Sequence, residues 1–367
     1  MNQPQTTSGD LAFSFLQGAP LAILAVDARG NLAFANQQAT QLFGYSEQEL
    51  LGSPVEILIP KSYRKGHPDL LQAYVREPHA RVMGVGREVR AVDRHGREFP
   101  VEIGLTPIHT NSGTYVVAAV ADITIRKHLE REVTAAKIVQ EAMLPRFFPQ
   151  TKGCEIAGAT RFADAAGGDF LDCVVPREGE ATLMIGDASG HGFAAALVSV
   201  AAKSYLRALS RTYHDLGELL KHVNQLLVED LAEGRFVTLF VGQLLVAEGR
   251  FRYAGAGHVG YILSQRGELK SQLVSTGPPL GWLQDAEYSV SEAAVESGDF
   301  ILLMTDGIEE SFADDGGTFG RDRIFQTIAR LADQTVAAQA QGILEAVGRF
   351  TNGKQHDDMT ILLTRLA

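Results

Sequence analysis

At 367 residues the chain is longer than one ordinary hydrophobic core accommodates, so two domains are expected. Its 45% hydrophobic and 21% charged residues are those of a soluble globular protein, and no apolar run reaches the roughly 18–20 residues of a membrane span. A net charge of −11 speaks against nucleic acid as a partner, and Cys154 and Cys173 form no metal-type or redox pair, which fits a reducing, cytoplasmic setting.

Residues 1–10 are polar, with neither signal-peptide nor transit-peptide character, and are expected to form a disordered tail. Leu21 to Val26 and Asn31 to Ala35 read as strands around the turn Asp27-Ala28-Arg29-Gly30. Asn36 opens a short helix, and Ser46 with Glu49 three residues later forms a capping-box pattern. A helix through Leu70 to Tyr74 follows. Alternation then predicts strands over 82–92, 98–109 and 114–122, the first two joined by the turn Asp93-Arg94-His95-Gly96.

Val26-Asp27, Phe34-Ala35-Asn36, Leu42-Phe43-Gly44-Tyr45, the run Asp93 to Glu102 and Asp122-Ile123-Thr124 together resemble a PAS sensor domain over residues 11–124. That resemblance implies a five-stranded antiparallel sheet with helices around a small-molecule site. His67 follows an Ile-Pro pair at the distance at which haem-binding oxygen sensors of the FixL kind place their proximal ligand, and Arg87 stands where their distal arginine lies. Haem is one reading of His67; a histidine shaping a surface helix is the other. Without a cysteine in this region, thiol photochemistry on a flavin is excluded.

Residues 125–145 form the linker. Ile125 to Met143 reads as one helix free of Gly and Pro, with Leu129, Val133, Ala136, Val139 and Met143 along one stripe. Such a stripe can pair in a homodimer or pack on its own domain. Pro145 and Pro149 end the helix.

The acids are distributed unevenly. Residues 1–125 carry 10 basic and 12 acidic residues, and residues 126–367 carry 23 and 32, a balance of −9. Four short motifs in the second region hold an Asp beside Gly or another Asp: Gly167-Gly168-Asp169, Gly186-Asp187-Ala188, Thr305-Asp306-Gly307 and His356-Asp357-Asp358. Three of them adjoin apolar strands. Strand ends from two packed sheets can converge, and clustered carboxylates repel one another unless a cation balances them. Oxygen donors without a Cys or His cluster suit Mn²⁺ or Mg²⁺ and not zinc.

In order and combination, these motifs resemble the SpoIIE/RsbU branch of the PP2C serine/threonine phosphatases over residues 146–367. The resemblance includes Val139 to Pro145, Ala254-Gly255-Ala256-Gly257-His258 and Pro278-Pro279-Leu280-Gly281-Trp282. It implies an α+β chain whose second half is a two-sheet β-sandwich flanked by helices. It also implies a bridging role between two metal ions for Asp187, the Ala188 carbonyl at the first ion, Asp306 with Asp357 at the second, Asp169 binding directly or through water, and Asp358 as a further metal candidate. His191 is the candidate acid for the leaving oxygen, whereas His258 and Trp282 read as structural. The phosphate-gripping arginine of many PP2C enzymes has no clear counterpart, and Leu171 and Gly255 replace an aromatic and an Asn.

The resulting expectation is a PAS-regulated, metal-dependent phosphatase acting on a phosphorylated STAS-domain anti-sigma-factor antagonist. Neither a kinase nor a STAS segment is read in the chain, so both are expected on separate chains. A haem-based gas sensor and a non-catalytic interaction module are the alternatives.

Overall fold

The computed structural model describes every residue except 1–7, 78, 85–87, 111–112, 146, 150, 165 and 233, and the chain divides into two units, Met1–Glu132 and Val133–Ala367. In the first unit, in chain order, are α1 (Ser8–Gly18), β1 (Ala22–Asp27), β2 (Leu32–Ala35), α2 (Gln37–Phe43), α3 (Glu47–Leu50), α4 (Lys61–Arg64), α5 (His67–Arg76), β3 (Arg81–Met83), β4 (Val89–Val92), β5 (Glu98–Thr110) and β6 (Gly113–Asp122). Residues 8–10, expected in the tail, are thus the first turn of α1.

The strands form one antiparallel sheet in the order β2-β1-β6-β5-β3, with β4 also on β5. The strand expected over 82–92 is two strands sharing one neighbour, so five positions hold six strands. Gly84, at φ 100°, ends β3 where a Cβ would come within 2.8 Å of the Val101 carbonyl oxygen. Leu24, Val26, Phe99, Val101 and Val120 fill the inner face of the sheet against Phe43, Leu50 and Leu58. Fully buried Asn36 caps α2 and ties it to the start of β1, accepting from Ile23 N at 2.9 Å and donating to the Leu21 carbonyl at 2.8 Å. The capping box is present, with Ser46 N donating to Glu49 Oε2 at 2.9 Å and Glu49 N to Ser46 Oγ at 3.3 Å.

The linker is one helix, α6 (Thr124–Met143), and Asp122 Oδ1 accepts from Thr124 N at 2.8 Å at its start. Ile125, Leu129 and Ile138 are exposed on it. Ala136 and Val139 of the expected stripe lie outside what is described.

The second unit contains β7 (Cys154–Arg161), β8 (Phe170–Val174), β9 (Glu180–Ala188), α7 (Gly192–Leu209), α8 (Leu216–Asp230), β10 (Val237–Leu245), β11 (Arg250–Ala256), β12 (Gly260–Leu263), β13 (Leu269–Leu273), β14 (Ser291–Ala294), β15 (Phe300–Met304), α9 (Asp306–Glu309), α10 (Gly320–Arg330), α11 (Val336–Phe350) and β16 (Met359–Leu366). Two five-stranded antiparallel sheets run β14-β11-β10-β9-β8 and β13-β12-β15-β16-β7. Leu183, Ile185, Phe240, Ile301, Leu303 and Leu362 fill the space between them. On the outer faces, α7 and α8 cover Met184, Leu239 and Val241, while α10 and α11 cover Leu302, Ile361 and Leu363. Both faces of the central strands are therefore buried, which is why β9 and β15 read as unbroken apolar runs and not as alternations. Among the described residues α7 alone is long and apolar enough to cross a membrane by length and composition, and its residues Ala195, Ala202 and Leu206 are packed on the sheet.

Candidate active site

The four acidic motifs converge because they adjoin the neighbouring ends of β8 and β9 in one sheet and of β15 and β16 in the other. Asp187 is the penultimate residue of β9, opposite Thr238 of β10. The Gly167-Gly168-Asp169 turn leads into β8, which pairs with β9 through Phe170 and Gly186. In the other sheet, β15 ends at Met304, Thr305 is the N-cap residue of α9, and Asp306 is its first residue. β16 starts beside it at Met359, directly after Asp357 and Asp358. Two strands from each sheet thus deliver all five carboxylates.

Short polar contacts fix this edge. The fully buried Asp169 accepts from Thr305 Oγ1 at 2.7 Å, a bond that joins the two sheets, and Thr360 N donates to the same hydroxyl at 3.0 Å. Ala188 N donates to the Gly168 carbonyl at 3.2 Å. A Cβ on Gly168 would lie 2.6 Å from the Ala188 carbonyl oxygen and 2.7 Å from Asp187 Oδ1, so only glycine permits this approach. Gly307 is confined in the same way by the backbone of Asp358.

Electrostatically the cluster is under repulsion. Burial, and then the charges of Asp306, Asp357 and Asp358, push the Asp187 carboxyl up to about 7. Burial followed by the Asp187 charge also raises Asp169 well above the usual carboxylate range, and burial raises Asp357, although nearby His191 pulls Asp357 down. Asp358 is raised chiefly by burial, but its oxygens accept from backbone N–H groups, with Ala163 N at 2.9 Å and Gly168 and Asp169 also contributing. Asp358 therefore faces inward and holds the glycine turn, whereas Asp357 is exposed toward His191.

Among the described residues no three acidic, His or Cys side chains already stand in a closed cage around one point. The donor set nonetheless fits divalent cations bound by oxygen: the charged groups acting on Asp187 are three further carboxylates, and a backbone carbonyl lies beside it.

A stability prediction follows from the raised carboxyls. Between pH 3.8 and about 7 the folded chain holds a proton on Asp187 that the unfolded chain has released, so this group's stabilisation is present at low pH and lost as pH rises through 7. Metal-free Asp187→Asn is expected to gain Tm relative to wild type as pH rises from 5 to 8, as measured by calorimetry. Comparing variant with wild type cancels His258, which burial lowers to about 4 and which acts in the opposite sense below its unfolded value of 6.5. A Tm difference that does not change with pH contradicts the raised Asp187 carboxyl.

His191 occupies the N-cap position of α7 but makes no side-chain cap bond, so its imidazole is not committed to the helix start. His258 is structural, as expected, and its place is informative. Its Nε2–H donates to the Met304 carbonyl at 2.9 Å, and its Nδ1 accepts from the Thr238 hydroxyl at 3.3 Å, bracing the Asp187 strand pair against the Asp306 strand. Trp282, also expected to be structural, is 62% exposed. Both cysteines are free and buried, and burial pushes their thiols up to about 11 and 12.

Thr305 and Gln140 lie within motifs that the sequence showed, but their roles at the site were not read from it. Gln140 on α6 is buried; its Nε2 donates to the Gly167 carbonyl, and its Oε1 accepts from Gly167 N at 3.1 Å. Buried Lys203 fastens the last turn of that helix, donating to the carbonyls of Met143 at 2.5 Å and Leu171 at 3.0 Å. In the first unit, His67 is the first residue of α5 and its Nδ1 lies 2.8 Å from Glu56 Oε1. Arg87 lies outside the described residues.

Comparison with known proteins agrees with this geometry. The pattern of stage II sporulation protein E (SpoIIE) matches residues 177–367, and the PAS fold pattern matches residues 13–123. Phosphoserine phosphatase RsbU of Bacillus subtilis is 26% identical over 246 residues, which is 66% of this chain and 72% of RsbU. The sensor protein FixL of Bradyrhizobium diazoefficiens is 29% identical over 125 residues, 34% of this chain and 24% of FixL. Among solved structures, the SiaA-PP2C domain of Pseudomonas aeruginosa has the same fold at a TM-score of 0.58 and 22% identity, over 67% of this chain and all of that domain. With one family pattern covering just over half of its length, the chain belongs to the SpoIIE family of metal-dependent protein serine/threonine phosphatases, carried behind a PAS fold.

Proposed function

We propose that the Asp187 cluster hydrolyses phosphoserine on a STAS-domain anti-sigma-factor antagonist within a partner-switching pathway. The observation that carries the site assignment is the convergence of five carboxylates from four strand ends, where burial and then the charges of Asp306, Asp357 and Asp358 push Asp187 up to about 7. The name of RsbU, a phosphoserine phosphatase, supports the substrate class.

Asp187, the Ala188 carbonyl, Asp306 and Asp357 would hold two Mn²⁺ or Mg²⁺ ions, with Asp169 contributing directly or through water. When bound, such ions neutralise phosphoryl charge and activate water. Asp358 serves the site by holding the Gly167-Gly168 turn, since its oxygens are engaged by backbone amides. The new P–O bond forms from water's oxygen as the bond to the serine Oγ breaks, and His191 delivers a proton to that leaving oxygen. No side chain is phosphorylated, and the two cysteines are kept protonated and buried. Phosphate release from a phosphoserine STAS-domain protein, measured for wild type and Asp306→Asn with Mn²⁺, tests the assignment. Equal rates would remove it.

PAS control reaches the site through α6. Gln140 is bonded to Gly167, the glycine next to the one that touches Ala188 and Asp187, so displacing the helix displaces the turn. Gln140→Ala is expected to lower kcat by about tenfold, the scale of lost outer-shell support, and to abolish any dependence on the PAS signal. Retained regulation in a steady-state assay contradicts the route. Exposed Leu129 and Val133, both on the apolar stripe, support pairing of this helix in a homodimer, and the cytoplasm is the proposed location.

A second reading concerns the PAS ligand. The likeness to FixL and the Nδ1 contact of His67 with Glu56, which leaves Nε2 to coordinate, favour haem. Against it, the inner face of the sheet is filled by the packed side chains described above. The purified protein is accordingly expected to show no Soret absorption after haem is supplied. A Soret band lost in His67→Ala reverses that conclusion.

A further inference from the structure

Trp282 is the one tryptophan of the chain. Its ring, largely in solvent, stacks on Phe236 with centroids 5.5 Å apart and planes inclined by 21°. Beside it Leu283 is 53% exposed. The backbone beneath is held firmly. Asn224 of α8 is fully buried and fixes both sides of the turn, accepting from Gly281 N at 2.8 Å and donating to the carbonyls of Leu283 at 2.8 Å and Gln284 at 3.3 Å. A buried amide with its bonds made is a rigid support, and here it presents a large apolar pair to water. Apolar groups held in that way mark an interaction surface.

This surface is continuous with the catalytic loop. Phe236 N donates to Ser189 Oγ at 3.0 Å, and Arg235 Nη1 donates to the Ser189 carbonyl at 3.3 Å. Ser189 is two residues beyond Asp187. Residues 126–367 carry a balance of −9, so a guanidinium at the rim of a carboxylate cluster supplies local complementarity to an anionic partner. A second copy of the chain seated here would cover the Ser189 loop and close the site to substrate. The partner whose work requires it to sit beside Asp187 is the phosphoprotein.

We propose that Phe236, Trp282 and Leu283, with Arg235, form the docking platform for the phosphoprotein substrate. The rings and Leu283 receive an apolar side chain flanking the phosphoserine, and Arg235 receives an acidic group on the same surface. The platform selects protein substrates and leaves the chemistry to the carboxylates; it rests on the phosphatase reading above.

The lone tryptophan makes the test direct. A phosphoserine STAS-domain protein, phosphorylated by its kinase and with its own tryptophans replaced by phenylalanine, is titrated into the metal-free full chain. A saturable blue shift of emission is expected as Trp282 leaves water. In Mn²⁺-supported turnover, Trp282→Ala and Arg235→Ala should each lower the ratio of kcat/KM for the phosphoprotein to kcat/KM for p-nitrophenyl phosphate by about tenfold or more, mainly through KM. Wild-type ratios in both variants, or emission unmoved at saturation, overturn the platform. A wild-type chain that hydrolyses p-nitrophenyl phosphate but not the phosphoprotein removes the STAS substrate and the platform together. A chain inactive on both refutes the phosphatase reading itself.

Discussion

Asp187→Asn is expected to lose Mn²⁺-supported hydrolysis of p-nitrophenyl phosphate by at least about a thousandfold, equivalent to about 4 kcal/mol of barrier. The substitution preserves shape and hydrogen bonding to Ala188 N while removing the charge at the centre of the cluster, so the β9–β10 register through Thr238 should survive. What disappears is the anionic donor between Asp306 and Asp357 on one side and Asp169 on the other. Near-normal turnover would show that the crowding around Asp187 is incidental to the chemistry.

Gly168→Ala is the second large effect, and it acts without touching an acid. The added methyl would meet the Ala188 carbonyl oxygen at 2.6 Å and Asp187 Oδ1 at 2.7 Å. Neither can yield cheaply: the carbonyl belongs to a paired strand, and the half-buried carboxylate stands among the charges of Asp306, Asp357 and Asp358. Separating them displaces two of the proposed ligands by a large fraction of an ångström, and misplacement on that scale costs about a hundredfold in rate. Asp187 and Asp306 remain chemically intact in this variant, so a loss of turnover with far-UV circular dichroism preserved isolates geometry from charge. Gly104→Ala, in β5 of the first unit, where an added Cβ meets nothing nearer than the Ala119 Cβ at 4.0 Å, is the control.

The acids were legible because the chemistry ties residue type to position: a carboxylate beside glycine at the end of an apolar strand. The two sheets were expected from the family resemblance, with which the many short strands agreed; the unbroken apolar runs are explained by cover on both faces. Less could be read where one neighbour decides a role. Asp357 and Asp358 are equivalent in sequence, and only the approach to β16 turns one to solvent and the other to the amides of the glycine turn. Gln140 is one polar residue on a helix with many, and nothing local marks its bond to a glycine 27 positions away. The helix α10 was not anticipated; its buried Ile324, Phe325 and Ile328 span little more than one turn and follow the turn-rich stretch 313–318. Trp282 looked structural because tryptophans are usually packed, and its exposure depends on a buried asparagine 58 positions earlier in the chain.

Isothermal titration of Mn²⁺ into the full chain, compared with Asp306→Asn and Asp357→Asn, tests most directly whether the four motifs form one centre. Two ions per wild-type chain, and at least one fewer in each variant with the fold retained, is the predicted result. Unchanged stoichiometry and affinity in both variants would contradict it.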